Sequence, residues 1–556
     1  MFNLKKQQSL ILLGLTFLIE LILIIYTCSQ KKVHFVDELW EITEATSPEP
    51  TYGPVSKDLF DTWIPHERWD HIFNLDSKLR FSYFRIMKNL KSDTHPPLSF
   101  FALHTMSSLS SGKASKWHMI IPNMIFFFIS LYFLYKIMFF LTGNYLVSNL
   151  TVLLYSLSRA GFFFVTYIKS YEIFIALSIM SCYAHLKIFS YLMSPEKDKF
   201  LPNYIVNSLI GVGACYFFGL FNHYYFIIWA FFLSLTTLVI CFIRNKTWLL
   251  CNYLIASLVP LILNWIIFRP SFLFFMGKDK PGFSSLGISK IFSKEFLESI
   301  EKVFSYLSPE IYVKHWIITL LVGAFVVILT KIIKITYKDL VVQLSYTPLN
   351  LSINLNYFKT PQAFFMLTLV ISSVCSFCIV SVFTWFFRMP AMRYVCFVIP
   401  VFFIFIGWCI KNKAMFIVVF LSFLISLIYL KPTDLPWIHD WDPTLKYLED
   451  NTSKDNKLDS ILYYPEEPDW HPLIHYTKYT NYTNRFFLSS SVDVKVPTDQ
   501  TTKKVLVFFL KKMYQNTEDV PDPYLDWVGN HIGLPFHKYI SKDIYGSSYV
   551  FSKEPL

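Results

Sequence analysis

The chain has 556 residues, of which 54% are hydrophobic, 19% aromatic and only 16% charged, and its mean hydropathy is +0.42. A water-soluble domain carries about 25% charged residues, so 57 phenylalanines against 16 glycines exclude a single soluble core and leave a polytopic membrane protein. The formal net charge of +11 is then no nucleic-acid signal, because Lys and Arg of membrane proteins collect in cytoplasmic loops and beside anionic lipid.

In chain order, the first element is an apolar run near 9–28 behind Lys5 and Lys6. No small-residue cleavage pattern follows it, and it reads as a retained first span. Further runs near the length of about 20 apolar residues that crosses a bilayer fall at 118–140, 145–161, 171–191, 203–221, 224–243, 247–268, 315–334, 362–384, 394–411 and 414–430. That makes about eleven spans. The stretch 97–110 opens at the second proline of the segment "KSDTHPPLSFFALH". At about 14 residues it is too short and predicts a surface or re-entrant helix.

With that stretch left non-spanning and the N-terminus inside, Lys5/Lys6, Lys136, Lys197/Lys199, Arg244/Lys246, Lys331 to Lys338 and Lys411/Lys413 all fall on the inner face, as the positive-inside rule requires. The outer face receives the first loop 29–117, turns at 159–171, 222–225 and 388–393, a loop at 269–314, and the tail 431–556. In the tail, "WDPTLKYLED" suggests a short helix, and "SILYYP", "KVLVFFL" and "SSYVFS" suggest strands. The predicted fold class is a polytopic α-helical membrane protein with a transmembrane domain over 1–430. It includes a large first external loop over 29–117 carrying amphipathic helices, and a small external α/β domain follows over 431–556. No internal repeat is visible. The nine cysteines all lie in or beside apolar runs, which gives no disulfide framework and makes Cys375 and Cys378 packing residues. Asn451-Thr-Ser and Asn481-Tyr-Thr match the glycosylation acceptor pattern, which has meaning only in a eukaryotic lumen.

The polar residues that break the pattern gather on the outer face. Asp37-Glu38 follows the first span. The pair suits the first turn of a surface helix, or a general base in which one carboxylate raises the proton affinity of the other. Asp93 and His95 stand just before the apolar helix that Pro96 and Pro97 introduce, as a cap or as the rim of a site. His66, Glu67, Asp70 and His71 could converge on a metal. They fit better the wet face of an interfacial helix whose apolar stripe is Trp63, Trp69 and Phe73. Lys169, ahead of Tyr171, either snorkels or aims a cation at a phosphate. His223-Tyr224-Tyr225 reads as an aromatic belt with a polar tip. Arg388 and Arg393 oppose the positive-inside trend and call for a phosphate or carboxylate partner. Glu20 lies mid-span, where an acid is a functional candidate or helix-packing glue. Carboxylates and cations at one membrane face, above apolar spans, suit the removal of a group from a lipid phosphate.

These motifs in this order resemble the GT-C superfamily of membrane glycosyltransferases, nearest in type to the protein O-mannosyltransferases and to lipid A aminoarabinose and galacturonic acid transferases. The resemblance lies in Asp37-Glu38 after the first span and His95-Pro96-Pro97-Leu98 at the end of the first loop. It continues with Lys169-Ser170-Tyr171 at the fourth span, the His223-Tyr224 turn, and Arg393-Tyr394 with Pro400. Two positions depart from the family pattern. Members often carry arginine where Lys169 stands, which keeps the charge without the bidentate geometry, and "LYY" where this chain has Leu98-Ser99-Phe100. The resemblance implies inverting transfer of a sugar from a polyprenyl-phosphate donor to a hydroxyl of a glycolipid, glycan or protein, at the outer face of a bacterial inner membrane. It implies Asp37 as base, and Glu38 either orienting the site or holding a divalent metal. It further implies Lys169, Arg393 and Arg388 on the donor phosphate, with Asp93, His95, Tyr171, His223 and Tyr224 in support. The alternative is a multi-span lipid or solute transporter, which shares the many spans and the intramembrane Glu20.

Overall fold

A computed structural model describes residues 5–31, 34, 36–51, 60–91, 95–193, 202–270, 298, 341–346, 349–354, 360–386, 392–410, 443–453, 458–463, 483–489, 496, 502–510, 520–542 and 546–556. Among the described residues seven helices are long and apolar enough to cross a membrane: Lys6–Gln30, Trp117–Thr142, Tyr171–Leu192, Asn203–Asn222, Phe226–Ile243, Thr247–Ile267 and Phe364–Ser381. They establish a multi-pass helical protein. The expected spans at 315–334 and 414–430 lie outside the described residues. Two shorter apolar helices, Leu98–Leu109 and Val398–Cys409, fall below the length that crosses a bilayer unaided. The second lies within the segment expected as a span at 394–411.

The segment expected as a span at 145–161 is bent. Helix Tyr145–Ser156 gives way to a second helix, Arg159–Thr166, at an angle of 60°. The cause is local. Ser158 caps the second helix by accepting from the Gly161 amide, while its hydroxyl donates to the Tyr155 carbonyl. A Cβ at Gly161 would stand 2.9 Å from the carbonyl oxygens of both Tyr155 and Ser156, so only glycine lets the chain fold back so tightly. The predicted outer turn at 159–171 is therefore largely helical.

The chain divides into two compact units, one comprising Met1–Ser29, Thr94–Ser99 and Met119–Leu435, the other Gln30–Asp93, Phe100–His118 and Pro436–Leu556. In the first, buried polar side chains tie helices together where no water can serve them. The Asn149 amide donates to Ser9 Oγ at 2.7 Å, and Ser9 bonds the Tyr135 hydroxyl at 2.8 Å. His185 Nε2 meets the Tyr253 hydroxyl at 2.7 Å, and Tyr253 donates to Ser234 at 3.1 Å. Gly407 packs against helix Tyr145–Ser156 so closely that a Cβ would lie 2.2 Å from Thr151 Oγ1 and 2.6 Å from Met138 Cε. Gly407→Ala is expected to destabilise this unit by about 1–3 kcal/mol through overpacking, read as a lower melting temperature in detergent. An antiparallel hairpin, β2 (Val341–Tyr346) and β3 (Leu349–Asn354), belongs to the same unit.

The second unit is built on a six-stranded sheet. Its strands are β1 (Trp63–Pro65), β4 (Leu458–Tyr463), β5 (Thr483–Ser489), β6 (Lys504–Leu510), β7 (Phe536–Lys542) and β8 (Gly546–Ser552), in the order β1-β5-β4-β6-β8-β7. β4, β6 and β8 match the strands expected from the tail, and helix Pro443–Asn451 matches the expected helix. Side chains alternate across the sheet with the period of two that strands impose. Leu506 and Phe508 join one core with Leu445 and Leu448, whereas Val505, Val507 and Phe509 join the other with Leu525 and Val528 of helix Asp522–His531. β1 comes from the first loop and pairs antiparallel with β5. Arg485 then seals the edge, donating to Asp459 Oδ2 at 2.9 Å beneath the Trp63 ring. Ile72 and the partly buried Phe73 pack on the same core as β1, so the expected membrane-facing stripe of this segment is in part a sheet-facing one.

Candidate functional site

In the first unit the chain brings together residues that lie far apart in sequence. After helix Arg159–Thr166 ends, the backbone runs extended through Tyr167 and turns at Lys169, whose amide donates to the Tyr167 carbonyl at 2.8 Å. Asn222, at the end of helix Pro202–Asn222, pins this turn by donating to the Ser170 carbonyl at 2.9 Å. The turn brings the rings of Tyr167 and Tyr171 into a stack with centroids 6.0 Å apart and planes 2° apart. Tyr171 also meets His223 at 5.5 Å and the edge of Tyr394 at 6.3 Å. Tyr225 closes on Tyr394 at 5.6 Å, and His95 approaches Tyr224 at 6.0 Å. Arg393, in a 3-10 turn over Met392–Val395, donates to the Tyr167 hydroxyl at 3.4 Å and lies against the Tyr394 ring.

Lys169, Arg393, Tyr171, His223, Tyr224 and His95 therefore converge on one aromatic-walled cluster at the ends of the spans. Arg388 and Asp93 lie outside the described residues. Tyr167 is the member that the sequence reading left without a role, because it comes to Tyr171 through a non-helical turn with no periodic signal.

His223 is fully buried, and its pKa is lowered to about 3 by desolvation first and then by the charges of His95 and Lys169. It is neutral at physiological pH. Its Nδ1 accepts from the Tyr225 amide at 3.2 Å, which leaves Nε2–H as a donor. Two cations, a neutral imidazole donor and several phenols gathered among aromatic rings have the chemistry that an anion calls for.

The pKa of His223 also has a stability consequence. Above the ordinary imidazole value of 6.5 both folded and unfolded forms are neutral; below it the unfolded chain takes up a proton that the folded site refuses. Stability is thus complete above pH 6.5 and is lost as pH falls toward 3, by up to about 1.4 kcal/mol per pH unit per histidine. His34 in the second unit, with its pKa also lowered to about 3, adds to the same slope. Melting temperatures of His223→Gln taken from pH 7 to pH 4 are expected to fall less steeply than those of the unmodified protein.

In the second unit, helix Val36–Thr46 carries four acids, Asp37, Glu38, Glu41 and Glu44. It is held by Leu39 and by Ile42, the former packed on the sheet core. Glu38, Glu41 and Glu44 are buried, at 0%, 2% and 0% exposure. Glu38 forms an ion pair with the equally buried Lys31. The Lys116 ammonium donates to the Lys31 carbonyl at 2.6 Å. Glu44 Oε1 accepts from the Thr51 amide and hydroxyl at 2.9 and 2.7 Å. Asp37 is the one partly exposed carboxylate on this helix. Glu38, by contrast, is committed to the interior.

The metal role considered for Glu38 does not fit. The buried Lys31 ammonium already pairs with the carboxylate, and burial with the charges of Lys31 and Lys116 holds His34 neutral. Among the described residues no group of three His, Cys, Asp or Glu side chains could hold a metal. Of the "HERWDH" segment, the helix His66–Phe73 forms as expected and Glu67 is exposed. Glu20 is fully buried in the first span, against Ser156 at the break of the bent helix pair.

No protein-family model and no curated protein matches the sequence. Among solved structures, the chain is similar to ArnT from Cupriavidus metallidurans bound to undecaprenyl phosphate, at 10% identity over 97% of each chain with a TM-score of 0.47. It is similar also to the archaeal oligosaccharyltransferase AglB from Archaeoglobus fulgidus, in complex with an inhibitory peptide and a dolichol-phosphate. That match has 9% identity over 90% of this chain and 69% of the other, with a TM-score of 0.39.

Proposed function

We propose that the protein is a GT-C-type glycosyltransferase that moves a sugar from a polyprenyl monophosphate to a hydroxyl of a glycolipid, glycan or protein. The observation that carries this reading is the convergence of Lys169, Arg393 and His223 on one aromatic cluster at the ends of apolar helices. Those groups suit a phosphate whose lipid tail remains among the spans. Lys169 and Arg393, with Arg388 in the same assignment, would neutralise the phosphate as it departs. Tyr171, Tyr224 and His95 wall the site and the His223 Nε2–H supplies a neutral donor, with Asp93 kept in a supporting role by the same assignment. Asp37 would accept the proton of the acceptor hydroxyl while that oxygen attacks the anomeric carbon and the carbon–phosphate oxygen bond breaks. One displacement inverts the anomeric centre. A phosphate monoester leaves as an anion, so no general acid is required. The site would face the periplasm or exterior from a bacterial inner membrane.

Mass spectrometry of surface glycolipids and glycoproteins, with and without the protein, tests this. A sugar-sized increment that disappears in its absence is expected, and unchanged masses overturn the reading. One feature favours the rival transporter: the bent pair Tyr145–Ser156 and Arg159–Thr166, with intramembrane Glu20 at its break, resembles the discontinuous helices of ion-coupled carriers. A carrier would leave transfer absent and would show substrate flux in sealed vesicles.

A further inference from the structure

The first loop exposes a patch that nothing above uses. Phe81, Phe84 and Leu109 are 49%, 83% and 69% exposed. They belong to one edge: the Phe81 amide donates to Ser108 Oγ at 3.0 Å, Arg80 donates to the Ser110 carbonyl at 2.9 Å, and Phe84 lies one helical turn on in Tyr83–Asn89. From Ser77 to Lys91 the chain contains no acid, and Lys78, Arg80, Lys88 and Lys91 are exposed beside the apolar residues. Phe81 has a positive φ of 58°, a left-handed conformation unfavourable for an aromatic residue. A glycine would take that turn without strain, so a phenylalanine held there and half exposed points to a use for the ring itself.

We propose that this edge is a lipid-contacting tip, with the two phenylalanines and Leu109 entering the headgroup boundary of the outer leaflet and the flanking cations engaging anionic phosphates. Chain length supports a bilayer as the occupant. Leu109 lies eight residues before Trp117, where a membrane-crossing helix begins, so the tip is tethered within about 28 Å of that entry point. Aromatic residues fringed by one sign of charge and held near a membrane match its interface in both chemistry and place.

The test uses the full chain in lipid nanodiscs, with an environment-sensitive nitrobenzoxadiazole label on Phe84→Cys and, as reference, on Lys538→Cys of β7, both in a background with the native cysteines replaced. Position 84 is expected to emit at shorter wavelength than position 538 and to be quenched at least two-fold more by spin-labelled phospholipid. Raising phosphatidylglycerol from none to about a third should deepen that quenching, and Lys78→Gln with Arg80→Gln and Lys88→Gln should abolish the increase. Phe81→Gly is expected to leave the melting temperature unchanged or higher while reducing quenching at 84. An unquenched label at 84 overturns lipid contact, as it would if a soluble partner covered the tip. Quenching that ignores phosphatidylglycerol overturns the anionic assignment. A lowered melting temperature in Phe81→Gly overturns the claim that the ring is kept for the surface.

Discussion

Asp37→Asn is expected to lower sugar transfer by at least about 100-fold while the protein inserts, folds and elutes as before. The magnitude is that of a lost general base, about 10²–10⁴ in rate. The substitution keeps size and polarity, and Asp37 is partly exposed on a helix anchored by other residues, Leu39 and Ile42 on its buried side and Glu44 at its end. Stability should therefore change little. Glu41→Gln and Glu44→Gln give the contrast. Both side chains are buried, at 2% and 0% exposure, and Glu44 accepts two hydrogen bonds from Thr51. Their variants should lose stability before they lose turnover per folded molecule. The readout is transfer from a polyprenyl-phosphate sugar in proteoliposomes, normalised to folded protein. Full activity in the Asn variant would remove Asp37 from the base role.

Much of this was legible in the sequence because membranes impose simple rules. Length and hydropathy located the seven described helices of membrane-crossing length. The short continuous apolar run "KVLVFFL" identified β6, as suits a strand whose side chains are divided between two cores. Elements set by long-range contacts escaped. β1 is three residues long and exists because β5 pairs with it across the sequence. β7 is an edge strand with an exposed, polar-rich face and carries little periodic signal. The break at Ser158 depends on a cap and one glycine inside a run whose hydropathy is continuous. In the candidate site, Lys169, Tyr171, His223 and Arg393 announced themselves by polarity at span ends. The ion pair of Glu38 did not, because Lys31 reads in sequence as one more flanking lysine.

That pair provides the largest expected effect on stability. Lys31 and Glu38 are both fully buried. Replacing Lys31 with Met would strand the Glu38 carboxylate in a low-dielectric interior, beside a histidine that burial and nearby lysines keep neutral. Breaking a buried pair from one side costs about 3–5 kcal/mol, whereas replacing both partners with apolar side chains of similar volume is often neutral or stabilising. Lys31→Met alone should therefore unfold the second unit at a markedly lower temperature, and Lys31→Met with Glu38→Leu should recover most of the loss. Equal destabilisation of single and double variants would show that Lys31 acts through the stem contacts of its side chain and not through its charge. Transfer should not follow stability. Glu38 neighbours Asp37 on the same helix turn, and the pair fixes that turn to the segment leaving the first span, since Lys31 also receives Lys116 on its carbonyl. An apolar pair fills the space without the directional bond, so Asp37 is free to shift by a fraction of an ångström. Because misplacement of about 1 Å is worth about 100-fold in rate, the double variant is expected to be stable and at least about ten-fold slower.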